Sequence, residues 1–302
     1  MRWKFQTVLI FCVIFTAGFS SYAQSTTRQF TPQKFVNQVY WPEAEALQHS
    51  LNAVFEKGNL MVAISGMEWR PGLCLASARV PAGESVALNV QLRANYNYSF
   101  IGAVDEAGRD VDFFLRDARG QVVAADEETD DSPIINYRPL QDGTYQLQLH
   151  LVSSQAPAGF LSLSILRSGG APILEFDYRK LNQQFFGAAT GIKSVHPKLQ
   201  WQNGVNQWCV FGYLLNNDAG LSLRGLKLGD GRRFFAATGS GVSGKIDLYL
   251  ADTQRRIVAA DEAPNAYPLL EYNAQSSEVY DLRIEVGDAQ ENELLLMGIF
   301  RQ

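Results

Sequence analysis

The chain has 302 residues, with 26 Lys and Arg against 31 Asp and Glu, 46% apolar and 19% charged residues. This is ordinary globular composition, which excludes a disordered chain, and the acidic balance argues against nucleic acid as a partner. Three cysteines are too few for a disulfide-built scaffold.

The N-terminus carries Arg2 and Lys4, then an apolar run from Val8 to Phe19, then Ser21-Tyr22-Ala23. The run is too short to span a bilayer and ends in small residues, so residues 1–23 read as a secretory signal peptide cleaved near Ala23. Cleavage removes two cations, leaving 24 against 31 acids and a net charge of −7. No later stretch is apolar enough to cross a membrane, so the expected product is secreted or periplasmic.

Residues 24–58 read as a helical segment. Thr31-Pro32 is a helix opening, Pro42 divides the segment, Leu47, Leu51, Val54 and Phe55 keep helical spacing, and Gly58 ends it. From Leu60 onward the period becomes that of strands. Short alternating segments near 60–65, 73–79, 85–92, 97–104, 110–116, 121–125, 133–137, 143–151 and 159–166 are separated by Gly, Asp, Asn and Pro. The first sandwich is therefore placed at 59–168, and Ser168-Gly169-Gly170-Ala171-Pro172 reads as a linker.

The second sandwich, 173–302, repeats the first. Residues 112–127, DFFLRDARGQVVAADE, and 247–262, DLYLADTQRRIVAADE, agree at 8 of 16 positions, where chance gives about one. The same shift of 135 places Cys74 on Cys209, Phe100 on Phe235, Tyr137 on Tyr272 and Tyr145 on Tyr280. A helix near Tyr178 to Ala189 precedes strands near 207–214, 221–228, 232–238, 245–251, 256–260, 267–272, 279–286 and 293–300. The expected fold is mostly β: two tandem antiparallel, jelly-roll-like β-sandwiches, each led by a short helical segment. Matched cysteines are read as buried thiols, each in the core of its own copy, rather than as a disulfide. Phe185, Phe186 and Trp208 exceed what the second copy can hide, so the two copies are expected to pack together.

Asp117-Ala118-Arg119-Gly120 reads as a tight hairpin turn; Arg255 replaces the glycine in the second copy, predicting a wider or more strained turn. The surrounding run D-x-D-x-x-L-x-D-x-x-G-x-V-V-A-x-D, with Asp142-Gly143-Thr144-Tyr145-Gln146-Leu147 downstream, resembles the bacterial pre-peptidase C-terminal domain. The likeness covers about residues 85–167, and 220–301 more weakly. It implies a secreted β-sandwich whose relatives bind calcium, collagen-like polymers or a parent enzyme, although no peptidase is attached here. The second copy departs from it at Lys245, where the first has Asp110, and at Ser277-Glu278-Val279-Tyr280.

Asp110, Asp112, Asp117, Asp126 and Glu127 are the candidate calcium ligands, being dense enough in oxygen to satisfy such an ion. They match no loop motif, and the alternative is a turn residue, a solvated strand residue and an acidic loop. No catalytic constellation is visible. His49, His150 and His196 form no zinc pair, and Ser243 within Gly241-Val242-Ser243-Gly244-Lys245 fails the nucleophile-elbow pattern by one position. The expected function is thus a non-catalytic binding or accessory module for an extracellular or periplasmic polymer, surface component or protein. The alternatives are carbohydrate binding through Tyr96, Tyr98, Trp69 or Trp201, or a secreted hydrolase.

Overall fold

A computed structural model describes residues 39–302 apart from 205, 216–219, 242–244 and 288–291. The proposed leader with its cleavage point at Ala23, the helix opening at Thr31-Pro32, and Ser243 lie outside the described residues.

Helix α1 spans Pro42–Ser65. Pro42 starts this helix, where its missing N–H costs nothing, and Glu43 and Glu45 in the first turn complement the dipole; a helical piece before residue 39 lies outside the described residues. The stripe Leu47, Leu51, Val54, Phe55 and Gly58 is buried. Gly58 is not the terminator. A Cβ there would stand 2.6 Å from the Trp69 indole, so the glycine serves close packing. The stop is Gly66, at φ 67°, whose N–H reaches the Val62 carbonyl at 3.2 Å. Residues 60–65 are therefore the last helical turns rather than a strand, their mixed apolar pattern arising because Leu60 and Ile64 face outward.

The first repeat continues with β1 (Glu68–Trp69), β2 (Gly72–Pro81), β3 (Ser85–Leu92), β4 (Tyr98–Val104), β5 (Gly108–Arg116), β6 (Val122–Asp126), β7 (Ile134–Tyr137), β8 (Gly143–Ser154) and β9 (Ala158–Arg167). The second has α2 (Glu175–Val195), β10 (Gln200–Trp201), β11 (Val210–Leu214), β12 (Gly220–Leu226), β13 (Gly231–Gly239), β14 (Lys245–Ala251), β15 (Ile257–Asp261), β16 (Leu269–Ala274), β17 (Tyr280–Gly287) and β18 (Leu294–Arg301). The mostly β, antiparallel, sandwich-like class expected from the sequence is present.

The repeats do not form two separate sheets systems. One ten-stranded sheet runs β16-β13-β18-β11-β2-β9-β4-β7, with β1 on β9 and β10 on β18. Two four-stranded sheets, β3-β8-β5-β6 and β12-β17-β14-β15, close its one face around a core that draws on both repeats. Helices α1 and α2 cover the other face with a second core, rich in aromatic rings. Because both faces of the central strands are covered, β4 is buried at every position and β9 at all but its ends, and both read as continuous apolar runs.

The seam is the antiparallel pair β2 and β11. There Ala76 faces Phe211, and these are matched positions of the repeat, so an internal two-fold passes between them. Cys74 Sγ accordingly lies 3.5 Å from the Gly212 carbonyl and Cys209 Sγ 3.3 Å from that of Ser77, a symmetric exchange between copies. Both cysteines are free and buried, as expected of thiols, but they sit on the shared seam instead of in separate cores. Residues 168–172 are likewise not a loose linker. Ala171 exchanges backbone hydrogen bonds with Trp69 at 2.9 and 3.1 Å, and a Cβ on Gly170 would lie 2.3 Å from the Trp69 carbonyl. No described helix is long and apolar enough to cross a membrane.

Candidate functional site: a cationic cleft at the repeat seam

The repeated acids tie down the backbone of their turns and loops. Asp117 Oδ1 accepts the N–H groups of Arg119 and Gln121 at 2.8 and 2.9 Å, and Asp252 Oδ1 accepts those of Gln254 and Arg256 at the same distances. Asp126 takes the N–H groups of Glu128 and Ile134 at 3.2 and 2.7 Å; its counterpart Asp261 takes those of Ala263 and Leu269 at 3.0 and 2.8 Å. These carboxylates recur because the same backbone amides recur. The second turn is not wider: Arg255 keeps the 2.9 Å turn hydrogen bond of Gly120 and adopts φ 62°, which is the strained alternative.

Of the five candidate calcium ligands, Asp112 lies within electrostatic reach of Asp110, Glu127 and Asp126, and Asp117 is set apart from them. Asp117 stands in the β5–β6 turn, at the far end of β5 from Asp110, and no three His, Cys, Asp or Glu side chains converge on a metal position among the described residues. Asp110 Oδ1 is buried without a partner. Burial, then the charge of Asp110, raises the Asp112 carboxyl above its usual range. In the second repeat Lys245 replaces Asp110 and its Nζ lies 2.9 Å from Asp247, the counterpart of Asp112.

The histidines are placed apart. His49 Nε2 lies 3.6 Å from Glu106, both largely exposed. His196 packs its ring 4.6 Å from that of Phe234. His150 Nδ1 is 3.0 Å from Ser85 Oγ and 3.1 Å from the Glu84 carbonyl, and Asp112 is its cross-strand partner. This Ser85–His150–Asp112 row comes from three strands, so sequence spacing does not reveal it. It lies on the outer side of its sheet, away from the cleft described below.

The aromatics proposed for sugar stacking are mostly core. Trp69 and Trp201 are 1% exposed and Tyr98 2%. Trp69 stacks on Phe55 at 5.0 Å and Trp201 on Trp41 at 5.1 Å, between helices and sheet. Tyr96 is half-buried, with the Arg167 guanidinium 4.4 Å above its ring. Trp69 and Trp201 are in fact matched residues, since each pairs its β1 or β10 position with the equivalent residue of β9 or β18, Leu166 or Phe300. Four residues separate Trp69 from Cys74 and seven separate Trp201 from Cys209. That three-residue insertion hides the match in a gapless comparison.

The insertion also builds the cleft. Trp208 Nε1 donates to the Ala87 carbonyl at 2.8 Å, Asn206 Oδ1 accepts the Ala87 N–H at 2.6 Å, and Gln207 Nε2 donates to the Lys227 carbonyl at 2.7 Å. Above the β2–β11 seam, between β3 and β12, lie two lobes of about 510 and 900 Å³ that share Arg70, Gln91 and Tyr213. Arg70, Arg93 and Arg167 line one lobe, and Arg70, Arg224 and Lys227 the other, with no Asp, Glu, His or Cys among the described lining residues. Arg70 donates to the carbonyls of Leu73 and Gln91 at 2.8 and 3.2 Å. Burial holds its guanidinium below the usual range, and the charge of Arg167 acts in the same direction. Arg167 Nε is buried without an acceptor. Of the ligand contacts named from sequence, Tyr96 and Tyr98 line the first lobe; the arginines were missed because the walls come from different repeats, and the insertion before Cys209 was the available signal.

No protein-family profile matches the chain, and no curated protein matches it. Among solved structures, it is similar to the CBM22-1–CBM22-2 tandem domain of Paenibacillus barcinonensis Xyn10C, at 11% identity over 77% of this chain and 99% of that one, TM-score 0.21. It is also similar to the PBSX exported protein XepA, at 9% identity over 76% and 85% of the two chains, TM-score 0.25. Tripeptidyl peptidase 2 is similar at 10% identity over 77% of this chain and 23% of that one, TM-score 0.25.

Proposed function

We propose that this protein is a secreted, non-catalytic binding module that takes an extracellular or periplasmic partner, a polymer or a protein, into the cleft between its repeats. The observation that carries the reading is the cleft itself. It is concave, of ligand size, and lined by hydrogen-bond donors over an apolar floor of Leu73, Phe211 and Tyr213. Its described lining offers neither a nucleophile paired with a base nor paired carboxylates. The resemblance to the pre-peptidase C-terminal domain rests on the run from Asp110 to Asp126 and on residues 142–147, in which Asp117 and Asp126 accept backbone N–H groups. It therefore bears on the scaffold, and the ligand is to be sought elsewhere.

The test is a binding screen of extracellular polysaccharides and proteins against the mature chain, Ser222→Trp and Leu140→Trp. Ser222 is an exposed cleft residue, whereas Leu140 is 94% exposed and lines neither lobe. A ligand held by the wild type and Leu140→Trp, but at least about tenfold more weakly by Ser222→Trp, supports the reading. Binding indifferent to Ser222→Trp, or substrate turnover lost on changing Ser85 or His150, overturns it.

A further inference from the structure

The cleft concentrates positive charge on a chain whose net charge is −5. Among the described residues, Arg70, Arg93, Arg167, Arg224 and Lys227 make no ion pair with a carboxylate, although eight other basic side chains, His49 included, do. Uncompensated cations that are partly buried cost desolvation free energy, which an anion in the cleft would return. Arg70 and Arg167 are the half-buried pair, and Arg167 Nε points to no protein acceptor.

We propose that the cleft binds an acidic polysaccharide strand, its carboxylate or sulfate groups held by Arg70, Arg93 and Arg167 at one end and by Arg224 and Lys227 at the other. This rests on the binding-module reading above. Cations in two adjoining lobes that share Arg70, Gln91 and Tyr213 suit a ligand with repeated charges better than a single ion. An extended peptide adding to the edge of β3 would find both backbone groups of Ala87 taken by Asn206 and Trp208 and the Gln91 carbonyl taken by Arg70. A membrane surface would need a flat or convex face, and this one is concave. Trp69 and Trp201 are buried outside the cleft, and the Arg167 guanidinium covers one face of Tyr96, so charge rather than ring stacking is expected to select the ligand.

The experiment is calorimetric titration of the mature protein with polygalacturonate, methyl-esterified polygalacturonate, dextran sulfate, polyglutamate, a single-stranded oligonucleotide and inorganic phosphate, at low and high salt. Polygalacturonate or dextran sulfate should bind, weaken at least about tenfold at high salt and in the Arg93→Gln/Arg224→Gln double variant, and weaken again in Arg167→Gln. Arg93 and Arg224 are exposed, so the double variant is expected to keep the wild-type melting temperature. Which of the two polymers binds tells carboxylate from sulfate. Equal affinity for the methyl ester overturns the charge requirement, and equal or tighter binding of polyglutamate or the oligonucleotide overturns the glycan assignment. Response to phosphate alone overturns the polymer. If none of the acidic glycans binds while another ligand remains sensitive to Ser222→Trp, only this inference falls and the module reading stands.

Discussion

Trp208 of the second repeat donates its indole N–H to the carbonyl of Ala87 in the first, 2.8 Å away, while Asn206 beside it accepts the N–H of the same alanine. Two residues of a three-residue-longer loop thereby cap the edge of β3, a strand end that would otherwise offer bare backbone groups. Trp208→Phe keeps an aromatic ring but strands the carbonyl and removes part of a nearly buried side chain, so the expected loss is at least about 1 kcal/mol of unfolding free energy. Asn206 sits at φ 57°, so Asn206→Gly tests the acceptor without backbone strain and should cost a similar amount. Denaturant titration of each variant is the check; unchanged midpoints would mean that the cap contributes nothing.

Gly58→Ala should destabilise, although alanine is the better helix former. The helical gain is at most about 1 kcal/mol. Against it stands a Cβ 2.6 Å from Trp69, itself stacked on Phe55 and unable to withdraw, and overpacking of this kind costs about 1–3 kcal/mol. A lower melting temperature is expected, and restoration by Trp69→Phe in the double variant would identify the clash.

Asp110 and Asp112 form a like-charged pair facing only His150 across the strands, which the second repeat relieves with Lys245. A carboxyl raised in the folded state binds its proton more tightly there than in the unfolded chain. Its effect is to lower stability as pH rises from about 3.9 through the folded value, and the penalty persists at neutral pH. Asp112→Asn should therefore raise the melting temperature at pH 7 by roughly 1–2 °C, with the gain vanishing as pH falls to about 4. Asp110→Lys should do the same by building the bridge of the other copy. Calcium added to the wild type should leave its melting curve unchanged, because Asp117 and Asp126 are spent on backbone amides; a calcium-dependent rise would restore those acids as ligands.

Burial pushes the Cys74 thiol up to about 12 and Cys209 higher still, so neither is a thiolate near neutral pH. Native protein at pH 8 should resist thiol labelling, and unfolding without reductant should expose two reactive thiols per mature chain. Labelling of one site in the native state would show the seam opening locally.

Much of the local structure was legible from the residues alone. The strand at 85–92 coincides with β3 and that at 245–251 with β14, because alternation and bounding turns are properties of a few neighbouring residues. The turn role of Asp117 was legible for the same reason. What the order of residues did not disclose was every feature made by distant segments. Gly58 looked like a stop until Trp69 was packed on it, and 60–65 looked like a strand because its outward apolar residues imitate alternation. Trp69 and Trp201 could be matched only after the sheet paired them. The duplication and its β character were thus settled by sequence, through periodicities that each copy carries within itself. The shared ten-stranded sheet and the cationic cleft were decided by tertiary structure, since strand pairing across the two-fold and the gathering of arginines from both copies depend on contacts more than a hundred residues apart.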